Sequence, residues 1–189
     1  MNEKTAKQLI KQTLDKKRYN HSIRVANTAR KLAEIHDAPV EKVIIASLLH
    51  DYAKCQSKEE LKENISLYQL PHSLLHYHHE LWHGPVAAKM IEHNNAVHDE
   101  EILNAIYYHT TACAKMGLIE TIIFVADYIE PARTIPGVET IRQLAMHDIE
   151  EAARVTIKNT IIYLMQNDAI IHPDSFAAYN MWTENHKEA

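Results

Sequence analysis

The sequence predicts an all-α fold, built as one helical bundle. Apolar residues recur at helical spacing almost throughout, no stretch shows convincing period-two alternation, and the 189 residues include only 3 glycines. Glycine scarcity argues against a turn-rich β architecture and against a glycine-rich phosphate loop, because both use backbone conformations that glycine supplies. At 46% hydrophobic residues the chain can bury one substantial core, so residues 1–189 are expected to form a single domain.

The elements follow in order. Thr5 to Lys17 and Asn20 to Ile35 read as two helices, the second aligning His21, Val25, Ala29 and Leu32 on one face. Pro39 suits a first turn and opens a third helix, expected to reach Lys54. Ser57 and Glu60 form a capping box for a short fourth helix. Ser66 to Trp82 has no clear period. Gly84-Pro85 opens a helix to about His93 and leaves His83 at its entrance. Asp99 to His109, Leu118 to Glu130, Val138 to Ala145, Asp148 to Gln166 and Pro173 to Asn185 complete the bundle, with Asp99 and Asp148 as N-caps.

Charge and composition exclude several function classes. The net charge of −5 offers no basic footprint for nucleic acid. Apolar runs fall well short of the roughly 18 residues of a membrane span, and the start of the chain lacks a signal-peptide core, so a cytoplasmic protein is expected. In that compartment Cys55 and Cys113 are expected to be reduced, ordinary thiols, and neither is the nucleophile.

The chemistry-bearing pattern is the series His21, His50-Asp51, His83, His109 and Asp127. The chain holds 14 histidines, so one His-Asp pair could be accidental, and context must decide. His36-Asp37 lies where a helix runs out, and Asp99 and Asp148 read as caps. Only His50-Asp51 closes a buried run, Val43 to Leu49. Neighbouring residues on a helix differ by about 100°, so His50 and Asp51 reach one centre from different angles, which suits a bridging carboxylate. Asp127 sits in the apolar segment Ile122 to Ile129, where an ionised carboxylate needs a cation or hydrogen-bond donors. Mixed imidazole and carboxylate donors suit Fe, Mn, Co or Zn better than Mg or Ca. His72, His76, His79 and His83 fall at i, i+4, i+7 and i+11, one face if that stretch is helical, but Pro71 and Gly84-Pro85 interrupt the region, so His72, His76, His78 and His79 read as mostly exposed and His83 is the exception.

Five stretches carry a resemblance: Arg18-Tyr19-Asn20-His21-Ser22-x-Arg24-Val25, Leu48-Leu49-His50-Asp51-Tyr52-Ala53-Lys54, Leu81-Trp82-His83-Gly84-Pro85, Tyr108-His109-Thr110-Thr111, and Phe124-Val125-Ala126-Asp127-Tyr128-Ile129-Glu130-Pro131-x-Arg133. Together they resemble the HD-domain phosphohydrolases, and more narrowly the bacterial symmetrical diadenosine tetraphosphatases of the YqeK type. The resemblance implies an HD-type helical bundle, with a metal-binding core at about residues 18–135 and C-terminal helices at about 138–186 packed on it. It implies hydrolysis of diadenosine tetraphosphate to two ADP by metal-activated water. It also implies one or two divalent ions, iron first, held by His21, His50, Asp51 and Asp127. His83 and His109 either complete a second metal position or contact phosphate. A homodimer is a further implication. One departure stands out: the family commonly has glycine after His-Thr-Thr, where this chain has Ala112.

Asp51, Lys54, His83 and His109 are therefore the candidate catalytic residues, with Lys54 expected on the helical side of its partners, neutralising phosphate charge. Arg24 and Arg133 are candidate phosphate contacts, since the guanidinium fork binds phosphate bidentately; a structural ion pair is the alternative for Arg24. Thr110, Thr111 and His172 complete the candidate substrate-binding set. The substrate expected is a small dinucleoside polyphosphate or nucleotide. The rival readings are an HD-type hydrolase of nucleoside monophosphates or guanosine alarmones, a di-iron oxygenase and a non-catalytic nucleotide sensor.

Overall fold

Helices α1 (Glu3–Thr13) and α2 (Lys16–Ile35) are parted at Asp15, whose carboxylate accepts from the Arg18 N–H at 2.8 Å and starts α2. The first helix therefore stops earlier than Lys17, because the chain extends at Leu14 to free Asp15 as a cap. His21 lies in the second turn of α2, on the face that buries Val25, Ala29 and Leu32. The computed structural model describes residues 1–95 and 97–188.

Helix α3 (Val40–Leu49) is buried from Val43 onward, so it packs on α1, α2, α6 and α7 rather than facing solvent. It ends at Leu49, not at Lys54 as the sequence suggests. Tyr52 N–H bonds the Leu49 carbonyl at 2.9 Å and Lys54 N–H the Asp51 carbonyl at 2.8 Å, tight i to i−3 turns that satisfy the helix end. Ser57 and Glu60 form the expected reciprocal capping box of α4 (Lys58–Leu67), with bonds of 2.7 and 3.2 Å.

The stretch without period becomes two short 3-10 turns, His72–His76 and His79–Leu81, with His72, His76 and His78 exposed. Helices α5 (His83–Asn95), α6 (Glu100–Tyr108) and α7 (Leu118–Ile129) follow, Asp99 capping α6. Then come α8 (Val138–Ala145), α9 (Ile149–Gln166) and α10 (Pro173–Glu188), with Asp148 capping α9. The fold is all-α, with no strand among the described residues.

Helices α2, α3, α6 and α7 pack together, α5 covers α6, and α9 joins α7 to α8 and α10. Leu48, Leu49, Ile122 and Ile123 are fully buried here, each side chain stabilising the bundle by about 1.5–3 kcal/mol. Rigid apolar walls thus surround the polar residues at one end of these helices. No helix among the described residues is long and apolar enough to cross a membrane.

Candidate metal centre

Three of the four histidines in the series are placed by the same backbone device. His50 and His109 stand at the C-caps of α3 and α6, and His83 opens α5 directly after a 3-10 turn. Each turns Nδ1 back to a carbonyl three residues earlier: Ser47 at 2.6 Å, Ile106 at 2.7 Å and Glu80 at 2.6 Å. A carbonyl left open at a helix end is satisfied, and the proton is fixed on Nδ1. His21 reaches the same state from inside α2, its Nδ1 lying 3.2 Å from Glu130 Oε1. All four rings then present an Nε2 lone pair to one centre.

The carboxylates complete the centre. Asp51 Oδ1 is 3.1 Å from His83 Nε2 and 3.9 Å from His109 Nε2, while Oδ2 is 3.7 Å from both His21 Nε2 and His50 Nε2. One carboxylate thus spans two pairs of imidazoles, as a bridging ligand would. Asp127 Oδ1 is 3.0 Å from His21 Nε2. Potential ligand atoms fall into two overlapping triads, His21, His50 and Asp127, and His50, Asp51 and His109, each within 4.8 Å.

The charge states follow from burial and neighbours. Burial holds the His50 and His109 pKa values down, that of His109 strongly, which favours the neutral ring a metal needs. For Asp51 burial pushes the other way, but His50, His83 and His109 outweigh it and keep the carboxyl well below its ordinary range. Asp127 is likewise depressed: burial opposes ionisation, and His21, His50 and Arg133 overcome it.

These residues fit a divalent metal. His50 Nε2 is buried, with no hydrogen-bond partner among the described residues. His83 Nε2 and His109 Nε2 face each other at 3.0 Å, although both Nδ1 protons already have acceptors. Leaving a buried polar atom unpaired costs about 1–3 kcal/mol, and lone pairs directed at each other repel. A cation removes both penalties.

Around the centre lies a shell of fixed partners. Glu130 accepts from Arg24 at 2.6 and 3.1 Å and from the Ala132 N–H at 2.8 Å, besides holding His21. Burial raises its pKa, yet Arg24, the Ala132 N–H and His21 bring it down to about 2. Arg24 is therefore engaged in the structural ion pair. Arg133 donates to the Asp127 carboxylate at 2.6 Å and carbonyl at 3.0 Å. Arg142 bonds the carbonyls of Ile129, Glu130 and Arg133 at 2.8, 2.9 and 2.9 Å, closing the C-terminal end of α7. Arg18 Nη1 lies 3.3 Å from Asp51 Oδ2, one helical turn before His21. No sequence pattern assigns a role to Glu130, Arg142 or Arg18. The spacing of three residues from Asp127 to Glu130, and from Arg18 to His21, was the available signal.

Lys54 lies on a turn rather than a helix, yet its Nζ comes within 3.4 Å of His83 Nδ1 and pairs with Glu80. Thr110 Oγ1 is buried and lacks a partner among the described residues, while the Thr111 carbonyl accepts from Ser175 Oγ at 2.8 Å. That bond ties the start of α10 to the segment after His109. Ala112 adopts a left-handed φ of 57°, the conformation for which glycine is suited, which gives the family's glycine a physical reason. His172 packs on Tyr77 with ring centroids 4.5 Å apart and is not part of the His and Asp cluster. Both cysteines are free, and burial lifts the Cys113 pKa to about 11, which keeps it a thiol.

Gly84 is required by close approach. A Cβ there would lie 2.9 Å from the Tyr107 carbonyl oxygen, 3.2 Å from that of Ile106 and 3.3 Å from the His109 ring. Two of these neighbours are backbone of α6 and cannot yield, so Gly84→Ala is expected to push α5 off α6, costing about 1–3 kcal/mol, and to displace His109. Thermal melts together with metal content check this; unchanged values for both contradict the close-packing argument.

Comparison with known proteins agrees with this geometry. The HD domain family model matches residues 18–132. The chain is 45% identical over 180 residues to the symmetrical bis(5'-nucleosyl)-tetraphosphatase of Bacillus subtilis (strain 168), covering 95% of this chain and 97% of that one. It is 43% identical over 184 residues to the protein of the same name from Staphylococcus aureus (strain NCTC 8325 / PS 47), covering 96% and 95%. A crystal structure from Clostridium acetobutylicum, described as a predicted HD superfamily hydrolase involved in NAD metabolism, superposes with a TM-score of 0.91 at 33% identity, covering 96% of this chain and 97% of that one. With four imidazoles and two carboxylates converging inside the matched segment, this chain belongs to the HD-domain family of metal-dependent phosphohydrolases.

Proposed function

We propose that the protein hydrolyses diadenosine tetraphosphate symmetrically, adding one water to release two ADP, with iron as the first-choice metal. The observation that carries the reading is the intact His and Asp cluster in a chain 45% identical, nearly end to end, to a symmetrical tetraphosphatase. His21, His50, Asp51 and Asp127 would hold the ion, and His83 and His109 would either complete a second position or meet phosphate. A divalent ion held there supplies Lewis-acid stabilisation of phosphoryl charge and acidifies water.

The chain's own residues do the rest. Neutral Nε2 donors and two carboxylates give the pocket a donor set better suited to Fe, Mn, Co or Zn than to all-oxygen cations. Lys54, held beside His83, is positioned to neutralise the charge of a departing ADP, whose phosphate oxygen leaves without needing a proton. Arg18 contacts Asp51 through one nitrogen and has further donors for phosphate. Arg133, half-buried against Asp127, and the hydroxyls of Thr110 and Thr111 remain candidates for phosphate contacts.

Product analysis tests the reading. Chromatography after incubation with diadenosine tetraphosphate is expected to show ADP as the sole product. AMP together with ATP would place the cleavage at the wrong anhydride, and oxygen-dependent turnover would favour the oxygenase.

A further inference from the structure

A cleft of about 650 Å³ lies across Glu80 and Lys54 from His83, lined by Lys58, Lys62, Tyr77, His78, His79 and Trp82 among its residues. Its size falls within the roughly 300–1,000 Å³ of small-molecule sites. We propose that this cleft seats one nucleoside-phosphate arm of the substrate, the part that extends away from the cleaved anhydride. The proposal rests on the hydrolase reading above and names where half of that substrate goes.

The chemistry of the walls selects this ligand class. Lys58 and Lys62 stand one turn apart on α4, with no ion-pair partner for either ammonium among the described residues. Glu59 is the one acid in the lining, so two ammonium groups face the cleft against a single carboxylate. Lys58 Nζ lies 5.9 Å from the Trp82 ring centroid, and the His78 and His79 rings meet at 4.4 Å. Trp82 is itself locked in place by its indole N–H, which donates to the Leu74 carbonyl at 2.8 Å. Trp82 is buried, so the rings open to the cleft are those of Tyr77, His78 and His79, and ammonium groups beside them suit a ligand that is anionic at one end and a planar ring at the other.

The placement joins the cleft to the reacting centre. Glu80 pairs with Lys54, whose Nζ lies 3.4 Å from His83 Nδ1, and its other oxygen is 3.8 Å from His79 Nε2. One carboxylate therefore stands between a cleft-lining imidazole and the metal-centre lysine. Tyr77, also lining the cleft, packs on His172 with 4.5 Å between ring centroids, so the sequence candidate just before α10 supports one wall residue of the cleft. A tetraphosphate with its middle anhydride at Asp51 has two identical halves that extend outward from the centre, and the cleft offers a seat to one of them.

The test reverses the two charges. The double variant Lys58→Glu, Lys62→Glu is compared with wild type and with a charge-matched control, Lys31→Glu, Lys158→Glu, whose exposed side chains lie outside the cleft lining. Circular dichroism checks that each is folded. The cleft variant is expected to raise KM for diadenosine tetraphosphate about tenfold or more, with kcat falling far less, and to weaken ADP binding in calorimetry by a similar factor. A KM and an ADP affinity equal to those of the control would overturn the proposal and leave the hydrolase reading standing. If the wild type does not split diadenosine tetraphosphate, that reading fails, and calorimetry with ADP still decides whether the cleft binds a nucleoside phosphate.

Discussion

Asp127→Ala is expected to lose bound metal and hydrolysis together. Asp127 Oδ1 meets His21 Nε2 at 3.0 Å and Arg133 at 2.6 Å, and Arg133 would keep its charge after the carboxylate is gone. Removing the anion leaves His21 and His50 as neutral donors facing a guanidinium, a poor place for a divalent cation. Loss of metal-dependent stabilisation worth several kcal/mol corresponds to a fall in turnover of about a thousandfold or more. Asp51→Ala is expected to do the same, because Asp51 alone spans both imidazole pairs. Metal content measured beside steady-state rates checks both variants. An Asp127→Ala protein with normal metal and turnover would remove Asp127 from the site.

Glu130→Ala tests the outer shell. Its carboxylate fixes the His21 tautomer from the side facing away from the centre and joins α7 to α2 through Arg24. Outer partners of metal-binding histidines typically carry 10–100-fold in metal affinity or activity, and a loss of about that size is expected here. The charge-assisted bonds to Arg24 and the Ala132 N–H also disappear, at a cost to stability of about 3 kcal/mol. Glu130→Gln keeps an acceptor for His21 and should recover part of the metal affinity while still weakening the Arg24 pair. Competitive metal titration and denaturant melts separate the two effects. Equal metal affinity in wild type and Glu130→Ala would show that His21 needs no such support.

Much of this was legible in the chain because helical periodicity and caps are local. Ser57, Asp99 and Asp148 cap where their side chains predict, and the buried run Val43 to Leu49 marked out His50-Asp51. What is not local was missed. Glu130 and His21 are 109 positions apart, so their pairing cannot be read from spacing. Gly84 shows no sign in sequence that Tyr107 backbone lies against it. The sequence suggests that α3 runs on to Lys54, because Tyr52 and Ala53 continue an apolar run, whereas the stop comes from i to i−3 bonds and an imidazole turned back on its own helix. The sequence marks His78 and His79 as exposed, and they line a cleft only because the turn at His79–Leu81 brings them opposite α4.

The proposed ion site takes its side chains from α2, from the turn that ends α3 and from α7, with the histidines at the entrance of α5 and the end of α6 beside it. Anomalous diffraction from crystals of metal-replete protein, collected at the absorption edges of iron, manganese, cobalt and zinc, tests it most directly. A peak is expected enclosed by His21, His50, Asp51 and Asp127, with any second peak on the side of Asp51 that faces His83 and His109. A catalytically active crystal with no peak there, or with its only peak among His72, His76, His78 and His79, would contradict it.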